Sequence, residues 1–157
     1  MSDDYIKLIP TDPSYIPPKP LQEQAIHLLE QMLPEGECEA EVYERLTFID
    51  QGANLSAIIC PSSNNKLQFD GDETIQEWWY SFEDEEQDQG VEGLMVTMPC
   101  CQKSVSFTDL TFDWPAGFAR FELNAMNPNI SHDMPPEQVA ELEAVLKCKL
   151  QQIRAHY

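Results

Sequence analysis

A change in the spacing of apolar residues, from helical to strand periodicity, constrains the fold more than any other feature of the sequence. In segment 21–33 apolar residues recur three and four positions apart, and a proline and a glycine then end the pattern. From residue 37 the period becomes two, because Cys38, Ala40 and Val42 alternate with glutamates. Helical and strand periods in succession, followed by further strand-like segments, predict an α+β fold with a mostly antiparallel sheet.

The same patterns place about three helices and several strands in a single domain spanning residues 1–157. Helices are expected at 21–33, from Asp72 or Thr74 to roughly residue 86, and from Pro135-Pro136 onward, with Val139, Leu142, Leu146 and Leu150 along one side of the last. Strands are expected at 37–49, 55–60, 94–98, 105–113 and 118–126. Segment 151–157 fits either a last strand or the fraying end of the helix.

Five prolines lie within residues 1–20. Because each proline fixes φ and removes a backbone donor, they predict an extended, proline-rich N-terminal arm. Its tyrosines, isoleucines and leucine are too apolar for a free tail, so we expect the arm to lie against the body of the domain.

The chain is strongly acidic, with 28 acidic and 9 basic residues and a net charge of −19. Such a surface repels nucleic-acid phosphates and anionic lipid, so neither is expected as a partner. No apolar run approaches the roughly 18 residues of a membrane span, and the acidic start lacks the features of a secretion signal. We therefore expect a cytoplasmic protein. In that compartment the five cysteines are expected to be free thiols or metal ligands rather than disulfides.

The acidic residues concentrate between Lys66 and Lys103, where no basic residue occurs. A run of this kind is usually a solvated face, and the alternative is a docking surface for a basic protein. The residues expected to contact such a partner are Glu77, Glu83, Asp84, Glu85, Glu86 and Asp88. Clustered carboxylates accelerate association with a basic cleft, so the main prediction is a non-enzymatic interaction domain, such as an inhibitor or immunity protein.

The alternative prediction is a zinc- or thiol-dependent protein that uses Cys60, Cys100 and Cys101. A Cys-Pro-x-Cys turn has the form of a zinc knuckle, in which two thiolates share one tight bend. Here Ser63 stands in the second sulfur position, so the three cysteines need a fourth ligand. Nothing in the spacing selects it from the remaining candidates, which are His27, His132 and the carboxylates.

Three other interpretations of these cysteines stay open. Cys100 and Cys101 can form a strained, reducible disulfide between neighbours. A nucleophilic cysteine needs a base, for which the only histidines are His27, His132 and His156. Otherwise the thiols are inert and buried. Arg120, among aromatic residues in an acidic chain, is expected to form a structural ion pair rather than to bind a ligand.

These motifs resemble those of a family of uncharacterised bacterial proteins, some of which are labelled "sugar ABC transporter ATPase". The resemblance spans roughly residues 48–157 and rests on Cys60-Pro61, Pro99-Cys100-Cys101, the segment 110–112, Trp114-Pro115-Ala116-Gly117-Phe118-Ala119-Arg120-Phe121, Asn127-Pro128 and the segment 153–157. It implies an ancestral zinc-ribbon-like site with Cys-Pro-x-Cys in the first turn, which Ser63 makes degenerate here. It supplies no reaction, and the absence of a glycine-rich phosphate loop and its lysine excludes an ATPase.

Overall fold

The computed structural model describes residues 2–157, apart from the side chain of Asp88. The strands in this range are β1 (Asp4–Pro10), β2 (Glu37–Ile49), β3 (Ala57–Ile59), β4 (Lys66–Gln68), β5 (Met95–Thr97), β6 (Ser104–Ser106), β7 (Thr111–Asp113), β8 (Gly117–Met126) and β9 (Leu150–His156). The α-helices are α1 (Lys19–Met32), α2 (Glu73–Tyr80), α3 (Glu83–Gln89) and α4 (Pro136–Leu146), and a short 3-10 helix covers Phe107–Asp109. All named strands pair antiparallel, which confirms the predicted α+β class. No helix in the described range is both long and apolar enough to cross a membrane.

The largest sheet has the strand order β2-β8-β1-β9. One face of this sheet is covered by α1 and α4, and the core between them contains the fully buried Leu8, Leu29, Leu123 and Leu142. The register pairs Leu8 with Leu123, so apolar residues of neighbouring strands meet on the same face.

The predicted N-terminal arm is extended, as expected, but it is an inner strand of this sheet rather than a segment laid on its surface. Strand β1 pairs with β8 on one side and β9 on the other. Five of its seven residues are buried. Its apolar residues Ile6, Leu8 and Ile9 are buried because strands flank β1 on both sides and α1 and α4 cover one face of the sheet. Pro10 is tolerated because it lies at the end of the strand.

A second core is built from the three-stranded sheet β4-β3-β7, the hairpin β5-β6 and helix α2. Its centre is aromatic, with Trp79 stacked on Phe107 at a centroid distance of 5.7 Å. Phe48 of β2 and Phe118 of β8 also pack here, 5.4 Å apart. The two long strands therefore connect the large sheet to this second core.

The two later helices differ from their predicted lengths. The middle helix is divided into α2 and α3 at residues 81–82, and the Asp72 side chain caps α2 by accepting from the backbone N–H groups of Thr74 and Ile75. Helix α4 ends at Leu146 because Lys147 adopts a left-handed conformation with φ of 61°. The prediction that Leu150 continues this helix is wrong, since Leu150 is the first residue of β9.

Strand β2 has an irregularity between Val42 and Thr47, where its register with β8 shifts. Arg120 of β8 lies beside this irregularity and donates hydrogen bonds to the carbonyl oxygens of Tyr43 (3.2 Å) and Glu44 (2.9 Å). Its role is structural, as predicted, but its partners are backbone carbonyls that the bulge leaves unpaired rather than a carboxylate.

Candidate metal centre

Three cysteine sulfurs converge at one end of the second core. Cys60 follows β3, and Cys100 and Cys101 lie in the turn that joins β5 to β6. The sulfurs of Cys60 and Cys101 are 3.8 Å apart, and all three lie within 4.8 Å of one another. Two sulfurs bound to one zinc at about 2.3 Å in a tetrahedron are separated by about 3.8 Å. The spacing therefore suits shared coordination.

The two turns that carry these cysteines have the same backbone hydrogen bonds. In the first knuckle, residues 60–65, the Cys60 carbonyl accepts from Asn64 N–H (2.9 Å) and the Cys60 N–H donates to the Asn65 carbonyl (3.0 Å). In the second knuckle, residues 98–103, the Met98 carbonyl accepts from Gln102 N–H (2.8 Å) and the Met98 N–H donates to the Lys103 carbonyl (2.9 Å). The two knuckles are thus copies of one turn.

Local sequence explains why both segments adopt this turn. A proline follows the first residue of each knuckle, at positions 61 and 99, and presets φ for the bend. The fifth residues, Asn64 and Gln102, both take left-handed conformations, with φ of 62° and 61°. The correspondence aligns Cys60 with Met98 and Ser63 with Cys101. In a pair of Cys-Pro-x-Cys knuckles all four of these positions would be cysteine.

Ser63 occupies the fourth corner of the cluster. Its hydroxyl oxygen lies 3.2 Å from the sulfur of Cys100, and its backbone N–H donates to the sulfur of Cys60 at 3.4 Å. Backbone N–H groups aimed at sulfur are the feature that stabilises thiolates in a knuckle. The donor set is therefore three sulfurs and one hydroxyl oxygen.

The surroundings of Cys60 and Cys100 shift the pKa values of their thiols in opposite directions. Burial opposes ionisation of Cys60, but hydrogen bonds from the Ser63 hydroxyl, from the N–H groups of Ser63 and Ser62, and from the Cys100 thiol outweigh it and lower the pKa of Cys60 to about 6. Burial raises the pKa of Cys100. By contrast, burial raises the pKa of both Cys38 and Cys148 to about 11. The cluster therefore favours the thiolate form at Cys60, whereas burial opposes it at Cys38 and Cys148.

The histidines considered as ligands lie elsewhere. The ring of His27 is within hydrogen-bonding distance of Gln31 on α1, and His132 Nδ1 lies 2.7 Å from the carbonyl oxygen of Asp133. Within residues 2–157 the three cysteines form the only group of three or more His, Cys, Asp or Glu ligand atoms close enough to share a metal ion. No histidine base joins the thiols, and all five cysteines are free.

The acidic residues predicted to bind a partner lie on α2 and α3. The side chains of Glu77, Glu83, Asp84 and Glu85 are exposed, whereas Glu86 is partly buried. Asp88 falls outside the described side chains. The exposed positions meet the first requirement of a docking surface, while Glu86 faces a different environment that is described below.

Comparison with known proteins yields no relative: no family model, curated protein or solved structure matches the chain. The resemblance drawn from its motifs accordingly stays a prediction.

Proposed function

We propose that the protein is a zinc-binding, non-enzymatic domain in which the two knuckles hold one Zn²⁺ through the thiolates of Cys60, Cys100 and Cys101. The fourth position belongs to the Ser63 hydroxyl or to a water molecule beside it. The observation that carries this proposal is the convergence of three sulfurs on two turns with identical backbone hydrogen bonding. Cysteines without a function would not require two turns of the same conformation to bring their sulfurs together.

The proposed role of the ion is structural. Strands β3, β5 and β6 have only three residues each, and such short strands contribute little stability by themselves. A bound zinc would clip the end of β3 to the β5–β6 hairpin and hold the wall of the aromatic core in place. Because one ligand is a hydroxyl or water rather than a thiolate, we expect weaker binding than at a four-cysteine site.

The test is the zinc content of protein purified without chelators from zinc-supplemented cultures. We expect close to one zinc per chain, a loss of zinc in Cys101→Ala and retention in Cys148→Ala. The second variant is a matched control, because Cys148 is also a partly buried free cysteine but lies outside the cluster. Chelation should also lower the thermal midpoint of the wild type. Less than about 0.1 zinc per chain, or equal zinc in both variants, would refute the proposal.

Binding of a basic protein partner is a second candidate function, favoured by the exposure of Glu83, Asp84 and Glu85 in the first turn of α3. The test neutralises these three residues together and compares the variant with one that neutralises Glu23, Glu30 and Glu137 on α1 and α4. The two variants carry the same net charge. A partner captured at low salt should be lost from the first variant and retained by the second, and its retention should fall as ionic strength rises. Equal capture by both variants would contradict the assignment.

A further inference from the structure

A cavity of about 530 Å³ opens where the end of β2 and the turn after it face helices α2 and α3. It is lined by aromatic rings, among them Phe48, Trp79 and Tyr80, and by the carboxylates of Asp50, Glu83 and Glu86. None of the knuckle cysteines lines it. The cavity is therefore separate from the candidate metal centre.

Aromatic rings form much of the wall of this cavity. Phe107 is buried, and Trp79 is stacked against it while Phe48 meets Trp79 edge to face at 5.8 Å. Two further rings lie on its solvent side, since Tyr80 is 54% exposed and Tyr157 is 48% exposed. Exposed aromatic rings beside a recessed aromatic surface are suited to an apolar body or a cation.

Three carboxylates line the same cavity, and they differ in their hydrogen bonds and ion pairs. Asp50 is fully engaged, because it accepts hydrogen bonds from Lys7, from the Tyr157 hydroxyl and from the Gly52 N–H. The ion pairs within residues 2–157 involve neither Glu83 nor Glu86. A partly buried carboxylate beside two others is electrostatically unfavourable without a cation. Burial, and to a smaller extent the negative charges of Asp50 and Glu83, raise the pKa of Glu86.

The spacing of these carboxylates and the residues around them indicate which kind of cation fits the cavity. The three carboxylates do not bring their oxygens together closely enough to share a metal ion. The one basic side chain in the lining, His156, is already paired with Asp4 at 2.7 Å. Anions are excluded by the surrounding charge. What remains complementary is a positive group attached to an apolar body.

We propose that this cavity binds a small organic cation, a primary ammonium that carries an aromatic or aliphatic body. The ammonium group would lie against Glu86 and Glu83, and the apolar body would lie against Trp79 and Phe48. This site extends the protein's function beyond the zinc-dependent fold and does not require the cysteines. It also gives a role to Glu86, which was predicted to meet a partner but is partly buried beside the cavity.

The test uses 2-phenylethylammonium as the probe and 2-phenylethanol as its neutral counterpart of nearly the same shape. Binding is followed by calorimetry and by the indole N–H resonances of the tryptophans. We expect the amine to bind and to shift the Trp79 resonance, and the alcohol to bind at least about tenfold more weakly. Equal binding of the alcohol, or no binding of the amine at about 10 mM, would overturn the proposal.

Two variants on the same helix separate a defined site from general attraction to an acidic protein. Glu86→Gln removes the carboxylate in the cavity, whereas Glu85→Gln removes an exposed carboxylate outside it with the same change in net charge. We expect Glu86→Gln to weaken binding by about tenfold and Glu85→Gln by less than about twofold. A third variant, Tyr80→Ala, removes a half-exposed ring from the mouth of the cavity and should also weaken binding. Equal effects of the two glutamate substitutions would show that no specific site exists.

Discussion

The most informative perturbation of the candidate metal centre is Ser63→Cys, which adds a fourth sulfur to the cysteine cluster instead of removing one. Ser63 stands at the knuckle position that Cys101 occupies in the second turn, and its oxygen already lies 3.2 Å from the sulfur of Cys100. A cysteine at this position points its sulfur at the same corner. Its longer side-chain bond suits the longer zinc–sulfur distance of about 2.3 Å.

The expected gain follows from the energetics of structural zinc sites. Such sites contribute about 10 to 16 kcal/mol at neutral pH, or about 3 kcal/mol for each of four ligands. Replacing a neutral hydroxyl by a thiolate should recover most of one ligand's share. We therefore expect zinc to bind about 100-fold more tightly to Ser63→Cys than to the wild type.

The assay is competition for zinc against a chromophoric chelator at neutral pH, combined with cobalt substitution. The intensity of the thiolate-to-cobalt charge-transfer band should rise from that of three sulfurs to that of four. Ser131→Cys is the matched control, because it also adds a cysteine in place of a serine but at an exposed position outside both knuckles. If Ser63→Cys and Ser131→Cys bind zinc equally and give the same cobalt spectrum, the proposed coordination is wrong.

Three further changes test other parts of the structure. Gly52→Ala should reduce the free energy of unfolding by roughly 2 to 4 kcal/mol, measured by chemical denaturation. Gly52 has φ of 59°, and an added Cβ would lie 2.3 Å from the carbonyl oxygen of His156. An unchanged denaturation midpoint would show that the turn relaxes freely. Burial raises the pKa of Glu122 above its ordinary 4.5, so the folded protein binds this proton more tightly than the unfolded chain, and stability falls as pH rises above that value. Glu122→Gln should therefore flatten the decline in thermal midpoint between pH 4.5 and neutrality, and an unaltered slope would contradict this origin. Asp72→Ala should cost about 1 kcal/mol by removing the cap of α2, whereas the exposed Asp70→Ala should change the midpoint very little.

Local sequence patterns were sufficient to predict elements that are determined by neighbouring residues in the chain. The alternation from Cys38 onward correctly places β2 at residues 37–49, and Asp72 is correctly identified as a possible helix cap. Local patterns were insufficient where tertiary contacts decide the outcome. The prolines around β1 indicate an extended arm but not an inner strand, because its partners are distant in sequence. The apolar spacing of Leu150 fits α4 as well as β9, and the left-handed Lys147 decides between them.

The candidate site shows the same division. Cys60, Cys100 and Cys101 are recognisable from their turns, but their convergence depends on the packing of β3 against elements built from residues 95–113. The sequence indicates the repeated knuckle only by a proline at the end of each of two predicted strands. Met98 and Ser63 obscure the repeat, because each stands where a Cys-Pro-x-Cys knuckle has a cysteine. The organic-cation cavity has no local signature, since its rings and carboxylates come from β2, α2, α3, the 3-10 helix and the segments that follow β2, β4 and β9.

The central position of β1 also has a consequence for how the protein is made. The Lys7 side chain bonds to the Tyr157 hydroxyl, 150 positions away, and the backbone of β1 has no hydrogen-bonded neighbours in the sheet until β8 and β9 exist. While the ribosome is still adding those strands, Ile6, Leu8 and Ile9 emerge as an apolar segment without a partner. Such distant pairing slows folding and prolongs exposure to aggregation. The large sheet should therefore form only after synthesis has passed β9, and nascent chains stalled before residue 150 should remain bound to chaperones.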